Sequence, residues 1–509
     1  MRKTLNRREF LKVASLLPLG AAAPRLLYNL SDSSFLQEKP KNVIVVVFDA
    51  FSARDISRYG YERKTTPNID RLSKQAIVYH NHFAGANFTT SGTASLLTSV
   101  LPWTHRALTP NSEVAEKFAT HNIFTTFKNH YRVAYTHNGW AYTLLRQFHH
   151  EIDELIPREK LLLGSLDTPV QEFFHNDDDI ASVSWARNMK VDEEGHAYSL
   201  FLSRFYEDLQ NKKIKNYRSL FPRGIPNTGS DNGFTIEQAV DYIEERIAAI
   251  PQPFLGYFHF LPPHQPYRTS REFFNAFNHD GFKSIPKPID ILVGRESKNL
   301  PRKRTEYDEF VLYCDKEFGR LYDDLESSGV LENSWLILTS DHGEMFERGI
   351  SGHSTDVLYE PVVRIPLMIF EPGRKTGLDI YNVTSAVDVV PTLAHLAGEQ
   401  PPDWTEGVVL PPFDSTIPTT NRNIYIARAV NNDPNAPLSM ASTILIKENF
   451  KLHYYFGYPE VSPDGLVRLF DIQSDPEEMS DLAQVKPNVT SELLDELKTK
   501  LKQVNEPYV

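Results

Sequence analysis

Three short stretches of this chain hold residue types that do chemistry. The apolar run NVIVVVFD ends in Asp49, and SWLILTSDHGE (residues 334–344) closes a second apolar run with Asp341, His342 and Glu344. Between them GANFTTSGTASLLTS (residues 85–99) places Thr89 and Thr90 at the start of a helix-like segment. Unbroken valine-rich runs are the pattern of strands buried on both faces of a parallel sheet. Open α/β sheets bind ligands at their carboxyl strand ends, so two acidic strand ends can converge on one site. A small hydroxyl residue opening a helix has two uses: its oxygen caps a free backbone N–H, or the positive end of the helix dipole presents it as a nucleophile toward an anion. Residue types alone leave both uses open, just as Asp49 alone reads equally as a loop salt bridge or cap, and DHGE as a polar turn. A further stretch, PFLGYFHFLPPHQPY (residues 253–267), reads as a strand over Phe254–Phe260 and a proline-braced loop carrying His264.

A chain of 509 residues exceeds one typical core, so a large domain with a smaller one appended is expected. The hydrophobic fraction of 41% and charged fraction of 24% are those of a soluble globular protein. A net charge of -12 argues against a nonspecific nucleic-acid binder, and no nucleic-acid partner is expected. One cysteine, Cys314, excludes an intramolecular disulfide framework and a cysteine-rich zinc site.

The N-terminus speaks to location. MRKTLNRREFLKVASLLPLGAAAPRLL sets Arg7-Arg8 ahead of Phe10-Leu11-Lys12, a short apolar run and alanines. That order resembles a twin-arginine signal peptide over residues 1–27, implying export of a folded protein to the periplasm or cell surface. The alternative is a basic amphipathic helix. The apolar run is short for a membrane span, and Pro24 hinders cleavage after Ala23, so a retained signal would tether the protein to a membrane.

The elements that must position these residues follow. TPNIDRL reads as a helix with proline near its start, leading into a short strand. Tyr307 to Gly329 has helical apolar spacing, with Cys314 in the core. Residues 150–245 are polar and weakly periodic, an expected substrate-side insertion in a catalytic domain spanning 40–400. Beyond the proline-rich EQPPDWTEGVVLPPFDSTIP, STILIKENFKLHYYF and VRLFDIQSDPEEMSDLA read as antiparallel strands, and SELLDELKTKLKQV as an amphipathic helix. Residues 401–509 are thus expected to form a small α+β subdomain.

The order of these motifs carries a resemblance. A strand ending in aspartate, TPNIDRL, the LLTS helix, PPHQPY, LTSDHGE, LYEPVVRIPLMIFEPG, DVVPTLAHLAG and LFDIQSDPEEMSDLA together resemble the sulfatase family of the alkaline phosphatase superfamily, from about Asn42 to Ala483. The resemblance implies an α/β, alkaline-phosphatase-like three-layer sandwich with a large mixed, mostly parallel sheet. Family sulfatases carry a Cys-x-Pro-Ser-Arg-like pentad whose first residue becomes formylglycine. Anchored on Leu96-Leu97-Thr98, that position falls on Thr89 and the arginine position on Thr93, so the formylglycine route has no precursor. Threonine there resembles phosphodiesterases and phosphoglycerol or phosphoethanolamine transferases of the superfamily. The implied ligand set for one divalent ion (Mn, Zn, Ca or Mg) is Asp49, Thr89, Asp341 and His342. Ala50 stands where many sulfatases have a second aspartate, and HFLPPHQPY supplies no aspartate for a two-zinc site, which points to a mononuclear centre. His264 and His353 match positions that touch ester oxygens or the leaving group, and His137, lacking the family's neighbouring lysine, is a candidate anion contact. Arg364 is expected to be structural. The implied activity is metal-dependent cleavage of phosphate esters, diesters foremost, through Thr89, on a small molecule or a lipid or polymer headgroup. Sulfate-ester hydrolysis without formylglycine and a non-catalytic binding protein are the alternatives.

Overall fold

The computed structural model describes residues 40–163, 217–227, 233–293, 296–414 and 422–509, with Lys212 and Lys215. The expected export signal and most of the expected insertion lie outside the described residues. The strands run in chain order as β1 (Asn42–Asp49), β2 (Ile77–Phe83), β3 (Tyr131–Thr136), β4 (Glu154–Leu155), β5 (Phe254–Pro263), β6 (Ser334–Thr339), a hairpin of β7 (Met345–Glu347) and β8 (Ile350–Gly352), β9 (Leu367–Phe370) and β10 (Leu378–Ser385). Eight of them form one sheet in the order β10-β2-β9-β6-β1-β5-β3-β4. Among these, β9 alone runs antiparallel to its neighbours.

Every residue of β1 is buried. Alternation along the strand divides it between two cores: Ile44, Val46 and Phe48 on one face, Val43, Val45 and Val47 on the other. Helices α1 (Pro67–Leu72), α4 (Ile236–Ala249) and α5 (Leu300–Ser327) cover the first face. The second is covered by α2 (Thr89–Thr98), α3 (Gly139–Gln147) and α6 (Val389–Ala397). The result is the three-layer sandwich expected from the motif order. Each aliphatic side chain so buried contributes roughly 1.5–3 kcal/mol. Cys314 lies buried in α5, within the first of these cores.

Strand β5 runs three residues beyond the expected Phe260, because its pairing with β1 resumes after a bulge: Phe48 pairs with Phe260 but Asp49 with Pro263. Bulges re-aim side chains at strand ends, and this one sits where Asp49 leaves the sheet.

The C-terminal strands β11 (Ile424–Arg428), β12 (Ala441–Lys447), β13 (Phe450–Phe456) and β14 (Leu466–Asp471) form an antiparallel sheet in that order. Of these, β11 lacked a strand reading in the sequence. One face takes Leu493, Leu497 and Leu501 of α7 (Pro487–Asn505) together with Trp103. The other packs on Val357–Val363, where four charged or polar side chains are buried. Lys451 lies 3.1 Å from Glu360 and 3.0 Å from Glu478, and His453 lies 3.1 Å from Glu478. This knot fixes the segment whose Val362 carbonyl accepts the N–H of Gly343, two residues past Asp341. It ties the C-terminal sheet to the acidic strand end. Arg364 is likewise structural, donating to the His80 carbonyl.

Burial works against ionisation of Glu478, but the charges of Lys451 and His453 outweigh it and hold the carboxyl well below its ordinary range. A depressed carboxyl contributes stability above its unfolded pKa, and that stability is lost as pH falls through the folded value. Replacing Glu478 with Gln should therefore cost about 3 kcal/mol at pH 7, the usual result of breaking a buried ion pair. Urea unfolding of the two proteins should show that gap constant down to about pH 5 and narrowing below about pH 4, near the unfolded carboxyl pKa.

Candidate active site

The central strands deliver the site. Asp49 ends β1, Asp341 and His342 follow β6, and β5 on the other side of β1 brings His259 level with Val47. Helix α2, which Thr89 opens, packs directly against the residues that follow β6. A Cβ on Gly92 would stand 2.3 Å from the Asp341 carbonyl oxygen, so only glycine lets α2 approach this closely.

Thr89 is the first residue of α2, and the N-cap is Phe88, which makes no side-chain cap. The Thr89 hydroxyl does not cap the helix: Oγ1 lies 3.3 Å from His342 Nε2 and accepts from Asn138 Nδ2 at 3.3 Å. Its neighbours turn elsewhere. Thr90 Oγ1 accepts the Asn111 N–H at 3.0 Å, and Ser91 donates to the Ala107 carbonyl. Thr93 Oγ1 donates to Asp341 Oδ2 at 3.2 Å. Asn138 caps α3 through Oδ1, which accepts the Trp140 and Ala141 N–H groups. That leaves Nδ2 to donate to Thr89 and to Asp49.

The candidate ligand atoms converge. His342 Nε2 lies 3.3 Å from Asp49 Oδ1 and 3.7 Å from Asp341 Oδ2, and His259 Nε2 lies 3.5 Å from Asp49 Oδ2 and 3.8 Å from Asp341 Oδ2. Asp49, His259 and Asp341 each offer a ligand atom within 4.8 Å of the others, and all three are fully buried. Donors bound at about 2.1 Å around one ion stand about 3–4 Å from each other, which is the spacing seen here. Two buried atoms, Asp49 Oδ1 and His259 Nε2, have no hydrogen-bond partner. Orphaned donors of this kind, facing paired carboxylates, fit a divalent cation.

The electrostatics agree. Burial opposes ionisation of Asp49, yet the imidazoles of His264, His259 and His342 hold it well below the usual carboxylate range. Burial and the Asp49 charge push Asp341 up. Burial would lower His342, but the charges of Asp341 and Asp49 draw it up to about 9. The pocket favours a positive charge.

Four histidines use Nδ1 for the scaffold. His342 Nδ1 lies 2.9 Å from the Gly343 carbonyl, His264 Nδ1 2.6 Å from that of Gln265, His259 Nδ1 3.3 Å from the Tyr257 hydroxyl, and His353 Nδ1 3.2 Å from Glu344. The His353 ring centre is 4.2 Å from that of His342 and 4.8 Å from that of His264, so both expected histidines stand beside the cluster. His137 does not reach it. Its ring stacks 4.1 Å from Phe234, both ring nitrogens are buried without a partner, and burial pushes its pKa down to about 3. The next residue, Asn138, is the one that enters the site.

Two residues of this site escaped the sequence reading. His259 is the one imidazole in the buried run FLGYFHF, which otherwise has only the Tyr257 hydroxyl as a polar group, and such a group in a strand buried on both faces is a signal in itself. Asn138 carried a weaker signal, an asparagine at the start of a helix.

The family model described as Sulfatase matches residues 41–399. The chain belongs to the sulfatase family. A second model, the C-terminal part of N-sulphoglucosamine sulphohydrolase, matches residues 353–507. This sulfatase-family chain is 31% identical to the choline-sulfatase of Rhizobium meliloti (strain 1021) over 44% of its own length and 45% of the relative's. It is 26% identical to arylsulfatase K of Bos taurus over 52% and 54%. The chain thus spans about half the length of these curated relatives. Its fold is that of the phosphonate monoester hydrolase of Agrobacterium radiobacter, with a TM-score of 0.65, 15% identity, and coverage of 91% of this chain and 96% of that one.

Titration calorimetry with Zn2+ or Mn2+ gives the direct check on the ligands. His259→Ala and His342→Ala should each weaken binding by more than about 100-fold, above the roughly 10–100-fold loss typical of an outer-shell partner, whereas His137→Ala should stay within about 3-fold.

Proposed function

We propose that this sulfatase-family enzyme cleaves phosphate esters, diesters foremost, with Thr89 as nucleophile. What supports this is the position of one hydroxyl: Thr89 Oγ1 opens α2 and enters the buried carboxylate–imidazole cluster, while Thr90 and Ser91 turn away. The sole cysteine is buried in α5 and Ser91 donates to a main-chain carbonyl, so neither offers a formylglycine precursor at this site.

Asp49, His259, Asp341 and His342 would hold a divalent cation, and two imidazoles with two carboxylates suit Zn2+ or Mn2+ better than Ca2+ or Mg2+. When bound, such an ion would neutralise the oxyanion of the ester and lower the pKa of a nearby hydroxyl. The chain does the rest. Asn138 donates to Thr89 Oγ1 and so orients the hydroxyl. The first-turn N–H groups of α2 face the anion with the positive end of the helix dipole. Thr89 Oγ1 loses its proton as it attacks phosphorus, the ester P–O bond breaks, and the departing oxygen takes up a proton, His264 being the candidate carrier from the one oxygen to the other. The threonine-bound phosphoryl ester, which keeps the second substituent of a diester, is then opened at phosphorus by water or an acceptor alcohol, and the Thr89 oxygen regains the proton that the attacking oxygen loses.

Charge favours diesters. Thr93 stands where the family pentad has an arginine, so that cation is missing. A phosphomonoester dianion would need more neutralisation than a singly charged diester. A sulfate ester is also singly charged, and two curated relatives are named for sulfate esters, so sulfate cleavage by another route is the second reading. Arg7-Arg8 and the following apolar run support export through a twin-arginine route. The ester would then be a small molecule or a lipid or polymer headgroup outside the cytoplasm.

Matched nitrophenyl phosphodiester, phosphomonoester and sulfate substrates separate these readings. The diester should be turned over fastest, and Thr89→Ala should lower that rate by several powers of ten, as removal of a nucleophile does. Acid-quenched enzyme should carry on the Thr89 peptide, by mass spectrometry, the phosphoryl group together with the ester substituent that did not leave. A faster rate on the sulfate ester establishes the second reading.

A further inference from the structure

The residue directly after Asp49 has a strained backbone. Ala50 has a φ of 60°, in the left-handed region that alanine enters only at a cost. Strain of this kind persists where the surroundings over-determine it. Here the turn Ala50–Phe51–Ser52 is fully buried, so its main-chain groups need partners inside the protein. Tyr307 of α5 supplies two of them with one hydroxyl, which donates to the Ala50 carbonyl at 2.7 Å and accepts the Ser52 N–H at 3.1 Å. Ser340, just past β6, accepts the Phe51 N–H at 3.0 Å. The peptide between Ala50 and Phe51 is thus pinned at both its carbonyl and its N–H. The Tyr307 ring is itself fully buried, its centre 5.6 Å from that of Tyr267 and 5.2 Å from that of Phe346.

The consequence falls on Asp341. The Ala50 N–H lies 3.3 Å from Asp341 Oδ1, which also accepts the His342 N–H at 3.0 Å. Oδ1 is thereby committed to main-chain donors. Oδ2 is left near His259 Nε2 and His342 Nε2, at 3.8 and 3.7 Å, with the Thr93 hydroxyl donating to it at 3.2 Å. Rotating the Asp49–Ala50 peptide to relieve the strain at Ala50 would swing its N–H off Asp341. With the next peptide pinned, that relaxation is blocked.

We propose that Tyr307 is a positioning residue of the metal centre: by pinning the Ala50 carbonyl it holds the left-handed turn whose N–H fixes Asp341 with Oδ2 toward the cation. The proposal rests on the metal reading of Asp49, His259, Asp341 and His342, and is indifferent to which ester is cleaved. Tyr307 acts through the backbone of the turn, and the same turn carries Asp49 at its start.

Tyr307→Phe is the test, because it keeps the ring and removes only the hydroxyl. Tyr59→Phe is the matched control. The Tyr59 hydroxyl likewise donates to one main-chain carbonyl, at 3.3 Å, and accepts one N–H, at 3.1 Å, both of Leu367 in β9, which holds none of the ligands. A merely structural hydroxyl would act alike in the two. In titration calorimetry, Zn2+ and Mn2+ should bind about 10–100-fold more weakly to Tyr307→Phe, the loss typical of an outer-shell partner, and within about 3-fold of the unaltered protein to Tyr59→Phe. Ala50→Gly supplies a second arm, because glycine takes the left-handed region without penalty. In that background Tyr307→Phe should change affinity by less than about 3-fold, since the strain it restrained is gone. Equal losses in the two tyrosine variants, or the same loss with and without Ala50→Gly, overturn the proposal and leave Tyr307 a structural hydroxyl. Hydrogen exchange of the metal-free protein, read by mass spectrometry on a peptide spanning residues 49–53, is independent of any ion. Exchange there should quicken about tenfold or more in Tyr307→Phe and less than about twofold in Tyr59→Phe. Unchanged exchange in Tyr307→Phe overturns the tie even if metal binding weakens, whereas quickened exchange in a protein that binds neither ion faults the metal reading and not the tie.

Discussion

Two carboxylates buried side by side, Asp49 and Asp341, set the terms for everything around them. Like charges at 4–5 Å repel by a few kcal/mol even at the effective dielectric of about 20 found inside proteins. Neither can be neutralised by solvent, because both are fully buried. The fold answers with imidazoles on both sides, His259 from β5 and His342 after β6, and with amide and hydroxyl donors from Asn138 and Thr93. These donors do not cancel two charges. A cation does, and the upward pull on His342 is the same demand expressed through a proton.

The scaffold meets a second demand, which is to hold four imidazoles without spending their site-facing nitrogens. Each uses Nδ1 for a carbonyl, a hydroxyl or a carboxylate of the chain, and outer partners of this kind fix both tautomer and ring angle. Because the acceptors belong to the turns that follow β5 and β6 and to β5 itself, the strand ends determine where the rings point. The β1–β5 bulge, the Gly92 contact and the buried Lys451–Glu478 knot hold those strand ends in place from three directions.

Much of this was legible in the sequence, and for a physical reason. Strands β1 and β6 are buried on both faces, so their apolar runs are continuous and their terminal acids stand out. Order of motifs supplied the three-layer sandwich. What escaped depended on register and on caps. His259 reads as a packed core residue until β5 is paired with β1, a contact between residues more than two hundred apart in the chain. His137 and Asn138 differ by one position, and which of them enters the site is decided by where β3 stops and α3 is capped. Pro262 and Pro263 suggested a loop, but a bulge lets β5 continue through them.

A shared frame does not by itself settle which ester is opened, because function resides in the site grafted onto a fold. Here the deciding chemistry lies in how a covalent intermediate on residue 89 could be released. A formylglycine hydrate sheds sulfate by collapsing to its aldehyde, a path that needs a second oxygen on the same carbon. Threonine has one oxygen on that carbon and a methyl group beside it, so a sulfate bound there has no such exit. Phosphorus is different, since an attacking oxygen can enter opposite the bond to threonine and displace it directly. The frame that neutralises a singly charged sulfate ester can therefore serve a phosphodiester with the nucleophile changed and the strand-end acids retained. On the proposed reading the chemistry of this chain therefore turns on Thr89, placed by the start of α2 rather than by the sheet.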